Sequence, residues 1–255
     1  LTTLDAQNAA QLGLFINEET KGADVLDMVA NTVGAWWGAN IAGVYRIELL
    51  EKPFTAPVYT FTANDIIGPP VRLPTADVER GMPAYRVTVR YARNYTLQTD
   101  LAGGVTNARR AVVAQTWREA TQVDASVQTV HLLAVALQYD SLFAYEADAI
   151  IEANRRLALR SVQRHRFEIT TLYNDETSGL DLGDVVGLLH PRYGLELIGD
   201  IAGQTFVLIG VEPDAQGGQL RLTLWGNSFT TFNITSTAGE YIVTDSGDYL
   251  VTGTS

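Results

Sequence analysis

The stretch LDLGDVVGLLHPRYGL (180–195) gathers the residues most able to do chemistry: Asp181, Asp184, His190 and Arg192. A carboxylate pair here, or Glu18 and Glu19 upstream, is the minimum kit for general acid–base hydrolysis of a glycoside. That reaction needs two carboxyls across a cleft, roughly 5–10 Å apart. Local signals favour a structural reading instead. Gly183 permits a tight turn, and Asp184 behind it is a turn residue that accepts backbone N–H bonds. His190 precedes Pro191 and is biased towards extended backbone at a strand end. Arg192 and Tyr193 fall at the tip of the next turn, set by Pro191 and Gly194.

The rest of the chain adds no catalytic constellation. It lacks a G-x-x-x-x-G-K-S/T loop, a G-x-G-x-x-G after a strand, a G-x-S-x-G elbow and H-E-x-x-H. His131, His165 and His190 are far apart in sequence, with no metal-like partner at helical spacing. There is no cysteine, which excludes disulfides, thiol catalysis and cysteine metal sites, and disfavours zinc. The expectation is therefore no catalytic residue, no bound cofactor and no metal.

Composition bounds the remaining classes. The 255 residues are 46% hydrophobic and 18% charged, enough for one large or two medium domains with real cores. No apolar run reaches the roughly 20 residues of a membrane span. The first residues, LTTLDAQNAAQLG, lack the pattern of a signal peptide, and a start at Leu1 rather than Met suggests a fragment. With 18 basic and 29 acidic residues the net charge is −11, the wrong sign for gripping a nucleic-acid backbone. Only Lys21 and Lys52 are lysines; the other 16 basic residues are arginines, as suits bidentate ion pairs at interfaces or simply a GC-rich genome. Arg80 to Arg118 holds seven arginines and one acid, and Arg155 to Arg166 holds five arginines and none. Such segregation either complements a neighbouring copy or marks solvated faces. Arg86, Arg90, Arg93, Arg155, Arg156, Arg192 and Tyr193 are the candidate interface residues.

The elements that must position these groups are set by periodicity. Residues 22–33 read as a helix with Val25, Leu26, Val29 and Val33 on one face, stopped by Gly34. Segments 35–38 and 44–51 form a hairpin around Asn40–Gly43, with Trp36 and Trp37 packed on that helix. Residues 58–62 make a short strand and 63–83 a loop. AYRVTVRYARNYT (84–96) alternates Tyr85, Val87, Val89 and Tyr91 against Arg86, Thr88 and Arg90, a strand with one buried and one arginine-rich face. Residues 98–109 read as loop, and 111–115 and 126–133 as weak strands. A second helix spans Ser141 to about Gln163, with Ala147, Ile150, Ile151, Asn154, Leu157 and Ala158 as its stripe. HRFEITTLY (165–173) switches to period two, and the strands after it suggest a small barrel or curled sheet.

After Gly226 the octets EYIVTDSG (240–247) and DYLVTGTS (248–255) repeat, as a stalk or β-arcade or as a plain hairpin. The fold class is α+β, mostly β: two β-barrel-like or curled-sheet modules with two helices and a β-rich C-terminal extension. The segments are 1–62, 63–164, 165–226 and 227–255.

Three blocks carry a family likeness: Gly183–Val186, the His-Pro-Arg-Tyr-Gly-Leu turn at His190–Leu195, and Leu224–Gly226. Together with VLDMVANTVGAWWGANIAGVYRIELLE (25–51) and the helix ending NRRLALRSVQRHRFEITT, they resemble the tail-hub, or baseplate-hub, proteins of long-tailed bacteriophages and prophages. The likeness spans roughly residues 20–226; the residues after Gly226 resemble the start of a fibre or stalk. The resemblance implies a structural virion protein at the tail tip, made in the host bacterial cytoplasm. It implies a homotrimeric ring that closes the tail tube, with a tube or distal tail protein above and a central fibre or tip below. DNA would pass through the lumen without specific binding, which an acidic wall would help, and host-surface contact would be indirect. Two other readings stay open: a peptidoglycan hydrolase, and a receptor- or carbohydrate-binding module using Trp36, Trp37, Tyr85, Tyr91 and the octet tyrosines.

Overall fold

The computed structural model of the protein describes residues 9–40, 43–51, 56–73, 82–190, 204–214, 216–227, 242–243 and 249–250. The chain runs α1 (Gly22–Thr32), β1 (Ala35–Ala39), β2 (Tyr45–Leu49), β3 (Tyr59–Phe61), β4 (Val71–Leu73) and β5 (Ala84–Tyr91). Next come α2 (Asn107–Ala114), β6 (Arg118–Val123), α3 (Ser126–Val130), β7 (Val135–Asp140) and α4 (Glu146–Arg160). It ends with β8 (Arg164–Leu172), β9 (Val185–Leu188), β10 (Gln204–Asp214), β11 (Gln219–Asn227), β12 (Ile242–Val243) and β13 (Tyr249–Leu250). This is the expected α+β, mostly β class. Among the described residues no sheet closes into a barrel, and no helix is long and apolar enough to cross a membrane.

The chain divides into two compact units. The first comprises Leu1–Glu51 and Pro74–Arg164, the second Lys52–Leu73 and His165–Ser255. In the first unit, α1 stops where Gly34 takes a φ of +61°, a region that only glycine enters freely. The hairpin β1–β2 comes next, closed by Asn40 and Gly43: the Gly43 N–H donates to the Asn40 carbonyl at 2.8 Å, and Asn40 Oδ1 accepts from the Val44 N–H at 2.8 Å. Trp37 packs back on the helix as anticipated. Its indole N–H donates to Asp27 at 2.7 Å, and its ring stacks on Tyr45. Leu26, assigned to the apolar face, is 44% exposed; Ala30 is buried in the core instead.

A three-stranded sheet, ordered β6-β5-β7, forms the centre of this unit, with β5 antiparallel to β6 and parallel to β7. Helix α4 packs over β5 and β6. The core between them holds Val87, Val89, Tyr91, Ala120, Leu137, Phe143, Ala149, Ala153 and Leu157. Fully buried Ala149 and Ala153 let the helix approach the strands closely.

The buried face of α4 differs from the expected one: Ala149, Glu152, Ala153, Arg156, Leu157 and Leu159 point in, while Ile151 is 63% exposed. Apolar periodicity assigns Glu152 and Arg156 to solvent, but here they are buried as a pair. The two weak strands also prove helical. In 111–115, Thr106 caps α2 by accepting the Arg109 N–H at 3.3 Å. In 126–133, Asp124 accepts the Ser126 N–H at 3.0 Å, starting α3. β-Branched valines made both segments look extended. Within the anticipated loop 63–83, residues 71–73 form β4.

The second unit centres on a six-stranded sheet, ordered β3-β9-β10-β11-β8-β4, with β3 parallel to β9. Both edges are three-residue strands supplied by the short segment 52–73. Alternation along β8, β9, β10 and β11 buries Phe167, Ile169, Val186, Leu188, Phe206, Leu208, Leu220, Leu222 and Leu224 in one cluster with Phe61. A β-bulge between Leu208 and Gly210 shifts the register and leaves Ile209 36% exposed.

The 181–184 turn is fixed from both sides. Asp184 Oδ2 accepts the Asp181 N–H at 2.8 Å, Gly183 adopts φ +90°, and its N–H donates to the Leu208 carbonyl at 2.8 Å. Gly226 sits opposite Phe206, and a Cβ there would lie 2.5 Å from the ring and 2.8 Å from the Thr205 carbonyl oxygen. Gly226→Ala is therefore expected to destabilise the second unit by about 1–3 kcal/mol, measured by chemical denaturation followed at buried Trp225. At the C-terminal end β12 and β13 pair antiparallel, Ile242 with Leu250 and Val243 with Tyr249; the rest of the two octets lies outside the described residues.

Candidate functional site

The groups that invited a catalytic reading are held apart or serve the framework. Asp181 and Asp184 belong to one turn and bond its backbone. Glu18 and Glu19 are exposed in the segment before α1. Among the described residues no three His, Asp or Glu side chains are placed to share a metal ion. His190 lies just past β9 and is half-buried, and His131 ends α3, also half-buried. His165 lies on β8, only 4% exposed, and its Nδ1 accepts a hydrogen bond from an Arg72 guanidinium N–H at 2.8 Å. Burial, reinforced by the Arg72 cation, pushes its pKa down to about 4. Its ring is thus neutral near pH 7, with the proton on Nε2, and serves as an acceptor inside the sheet.

Arg155 and Arg156, candidate interface residues, are engaged within the first unit. Glu152, with its side chain 1% exposed, accepts from Arg155 Nε and Nη2 at 2.8 Å each and from Arg156 Nε at 2.6 Å. The outer N–H groups reach the end of α1 and the hairpin. Arg155 donates to the Val33 carbonyl at 3.0 Å and the Leu50 carbonyl at 3.1 Å; Arg156 donates to the carbonyls of Asn31 and Thr32. The last carbonyls of a helix have no partner within it, and here guanidinium groups from α4 supply the donors. Gly34 makes room, since a Cβ on it would fall 2.0 Å from Arg155 Nη2. Arg156 also lies 4.1 Å from the Tyr139 ring centroid. The signal for this cluster was present as an acid with arginines three and four residues on.

Three other candidates, Arg86, Arg90 and Arg93, belong to the β5 segment. Arg86 and Arg90 share its outer face with Thr88, whose hydroxyl meets that of Thr121 at 2.9 Å. Arg86 lies over Tyr85. Arg90 pairs with Asp140 on the adjoining strand β7 and stands 5.3 Å from the Trp117 ring. Beyond β5, Ala92 takes φ +47°, and its N–H is held by the Phe143 carbonyl at 2.7 Å. That left-handed residue redirects the chain so that the Arg93 guanidinium lies 4.9 Å from the Tyr95 ring and 5.4 Å from Trp117.

Tyr95 in turn meets Phe15 at 5.5 Å. The result is a surface row, Phe15–Tyr95–Arg93–Trp117–Arg90, beside an open cleft of about 460 Å³ lined by Arg90, Gln115, Thr116, Trp117 and Glu119. The sequence pointed to the arginines and missed Trp117 and Tyr95; the aromatic residue close to each arginine was the available cue. Arg192 and Tyr193 lie outside the described residues.

Together the fold and these groups define a mostly β, two-unit chain whose prominent ionisable residues bind backbone, aromatic rings or one another. No family model matches it, and no curated protein does. Among solved structures it is similar to a chain of the virion of a native gene transfer agent particle, at 19% identity and a TM-score of 0.48, over 82% of this chain and 40% of that one. It is also similar to a tail protein from Neisseria meningitidis MC58, at 15% identity and a TM-score of 0.47, over 84% of this chain and 58% of that one. A 43 kDa tail protein of prophage MuSo2 from Shewanella oneidensis gives 12% identity and a TM-score of 0.45, over 83% and 54%. The chain thus spans less than two thirds of the length of each.

Proposed function

We propose that this chain is a structural protein of a phage-type tail, acting as the hub that closes the tail tube as a homotrimeric ring and joins it to a central tip or fibre. The observation that carries this reading is the meeting of the separate sequence blocks behind the hub resemblance. Val186 of the first pairs with Phe206, and Phe206 pairs with Gly226 of the last, so one cross-strand row runs through β9, β10 and β11. Residues forty apart are thereby constrained jointly by packing, with the glycine receiving the phenylalanine ring. A framework of this kind explains why those residue types occur together without invoking turnover.

Two further features support an assembling role. The sheet edges carry exposed apolar side chains: Val71 on β4 is 52% exposed, Val123 on β6 is 56% and Val58 beside β3 is 64%. Edges of that kind are stable when covered. The net charge of −11 suits a lumen along which DNA slides without adhering. Sedimentation of the purified chain at micromolar concentration tests the reading. A species of three copies is expected, and a stable monomer would overturn it.

A further inference from the structure

Resting on the ring reading, we infer that Arg93 is a docking point for a carboxylate side chain of a second copy of this chain, with the aromatic row around it as the core of that contact. The guanidinium is exposed and lies close to both the Tyr95 and Trp117 rings. Contact with two rings narrows the positions open to the guanidinium, so less rotamer entropy is lost when a carboxylate arrives. Its neighbour Arg90 is already neutralised by Asp140; among the described residues Arg93 makes no ion pair.

The surroundings match what binding hot spots use. Trp, Tyr and Arg dominate them, and lysine and small polar residues are scarce. The row continues into exposed apolar surface, with Phe15 58% and Tyr95 43% exposed. The left-handed Ala92 aims Arg93 at the two rings.

A second copy is the occupant that the charge balance favours. Each copy carries eleven more acidic than basic residues, so carboxylates are in excess on a second copy for a guanidinium that makes no ion pair among the described residues. Such a contact joins unlike surfaces of the two copies, the heterologous kind that generates a ring when the rotation closes. Burying the row between copies removes exposed aromatic area and strengthens the ion pair by lowering the local dielectric.

The test is sedimentation equilibrium of the full chain beside Arg93→Glu and Arg93→Lys, with thermal melts as a folding check. Arg93→Glu is expected to weaken self-association by about tenfold or more at an unchanged melting temperature. Arg93→Lys keeps the charge but loses the planar fork of donors, and is expected to weaken it by a smaller factor. Raising the salt concentration should weaken the wild type more than Arg93→Glu. If the wild type assembles and Arg93→Glu assembles equally well, the docking point is wrong and the ring stands. If the wild type sediments as a monomer, both fail.

Discussion

Glu152→Ala should lower the stability of the first unit by about 3–5 kcal/mol, the range for breaking a buried ion pair by removing one partner. The carboxylate is 1% exposed and accepts N–H bonds from two arginines whose side chains are only 25% and 10% exposed. Without it, two guanidinium groups face each other with nothing between them. Those same groups hold the last carbonyls of α1 and the Leu50 carbonyl at the end of the hairpin, so the helix–hairpin block loosens with them. Replacing all three residues by apolar ones of similar volume should be milder than removing the glutamate alone, because no charge is then left stranded. Equilibrium denaturation followed by tryptophan fluorescence reads this out, since Trp36, Trp37 and Trp117 all lie in the first unit. A loss below about 1 kcal/mol, the usual worth of an exposed pair, would refute the buried-cluster account.

The second unit should weaken as pH falls from about 6.5 to about 4. His165 has a folded-state pKa near 4, against about 6.5 for a free imidazole. The unfolded chain therefore takes up the proton first, and stability falls as acid is added. The contribution is fully present above pH 6.5, is lost progressively down to pH 4, and changes no further below that. Its size is about 3 kcal/mol at 1.36 kcal/mol per pKa unit. His165→Gln keeps an acceptor for Arg72 and removes the titration. Denaturation midpoints compared across pH 4 to 7 should show the variant losing less stability than the wild type. Equal slopes would mean that the imidazole accepts its proton without disturbing the fold.

Much of the architecture was readable because alternation and turn chemistry agreed. The β5 pattern of tyrosines and valines against arginines, the Asn40–Gly43 hairpin and the Gly183–Asp184 turn each rest on interactions a few residues long, and each forms as expected. Errors came where a distant partner decides. Glu152 and Arg156 turn inward because they find one another and the end of α1, so α4 presents a face that hydrophobic periodicity does not select. Val112 and Val113 favour strands intrinsically, yet the Thr106 cap commits them to a helix. The pairing of β3 with β9 joins Tyr59 to Val186, a separation that local pattern does not encode. For the site, the arginines were visible by type, while their aromatic neighbours are assembled by the left-handed turn at Ala92.

The excursion of residues 52–73 bears on how the chain is made. On the ribosome, β3 and β4 emerge more than a hundred residues before the last strand, β11, of the sheet they border. The first unit has all its sequence once Arg164 is out, and can fold around this looped-out segment while it waits for β8 to β11. Closing so long a loop late is slow, and until then β3 and β4 lack the sheet neighbours that satisfy their backbone amides. The delay between synthesis of β3 and β4 and synthesis of β11 is therefore built into the chain order, and it sets the earliest moment at which the second unit can complete its sheet.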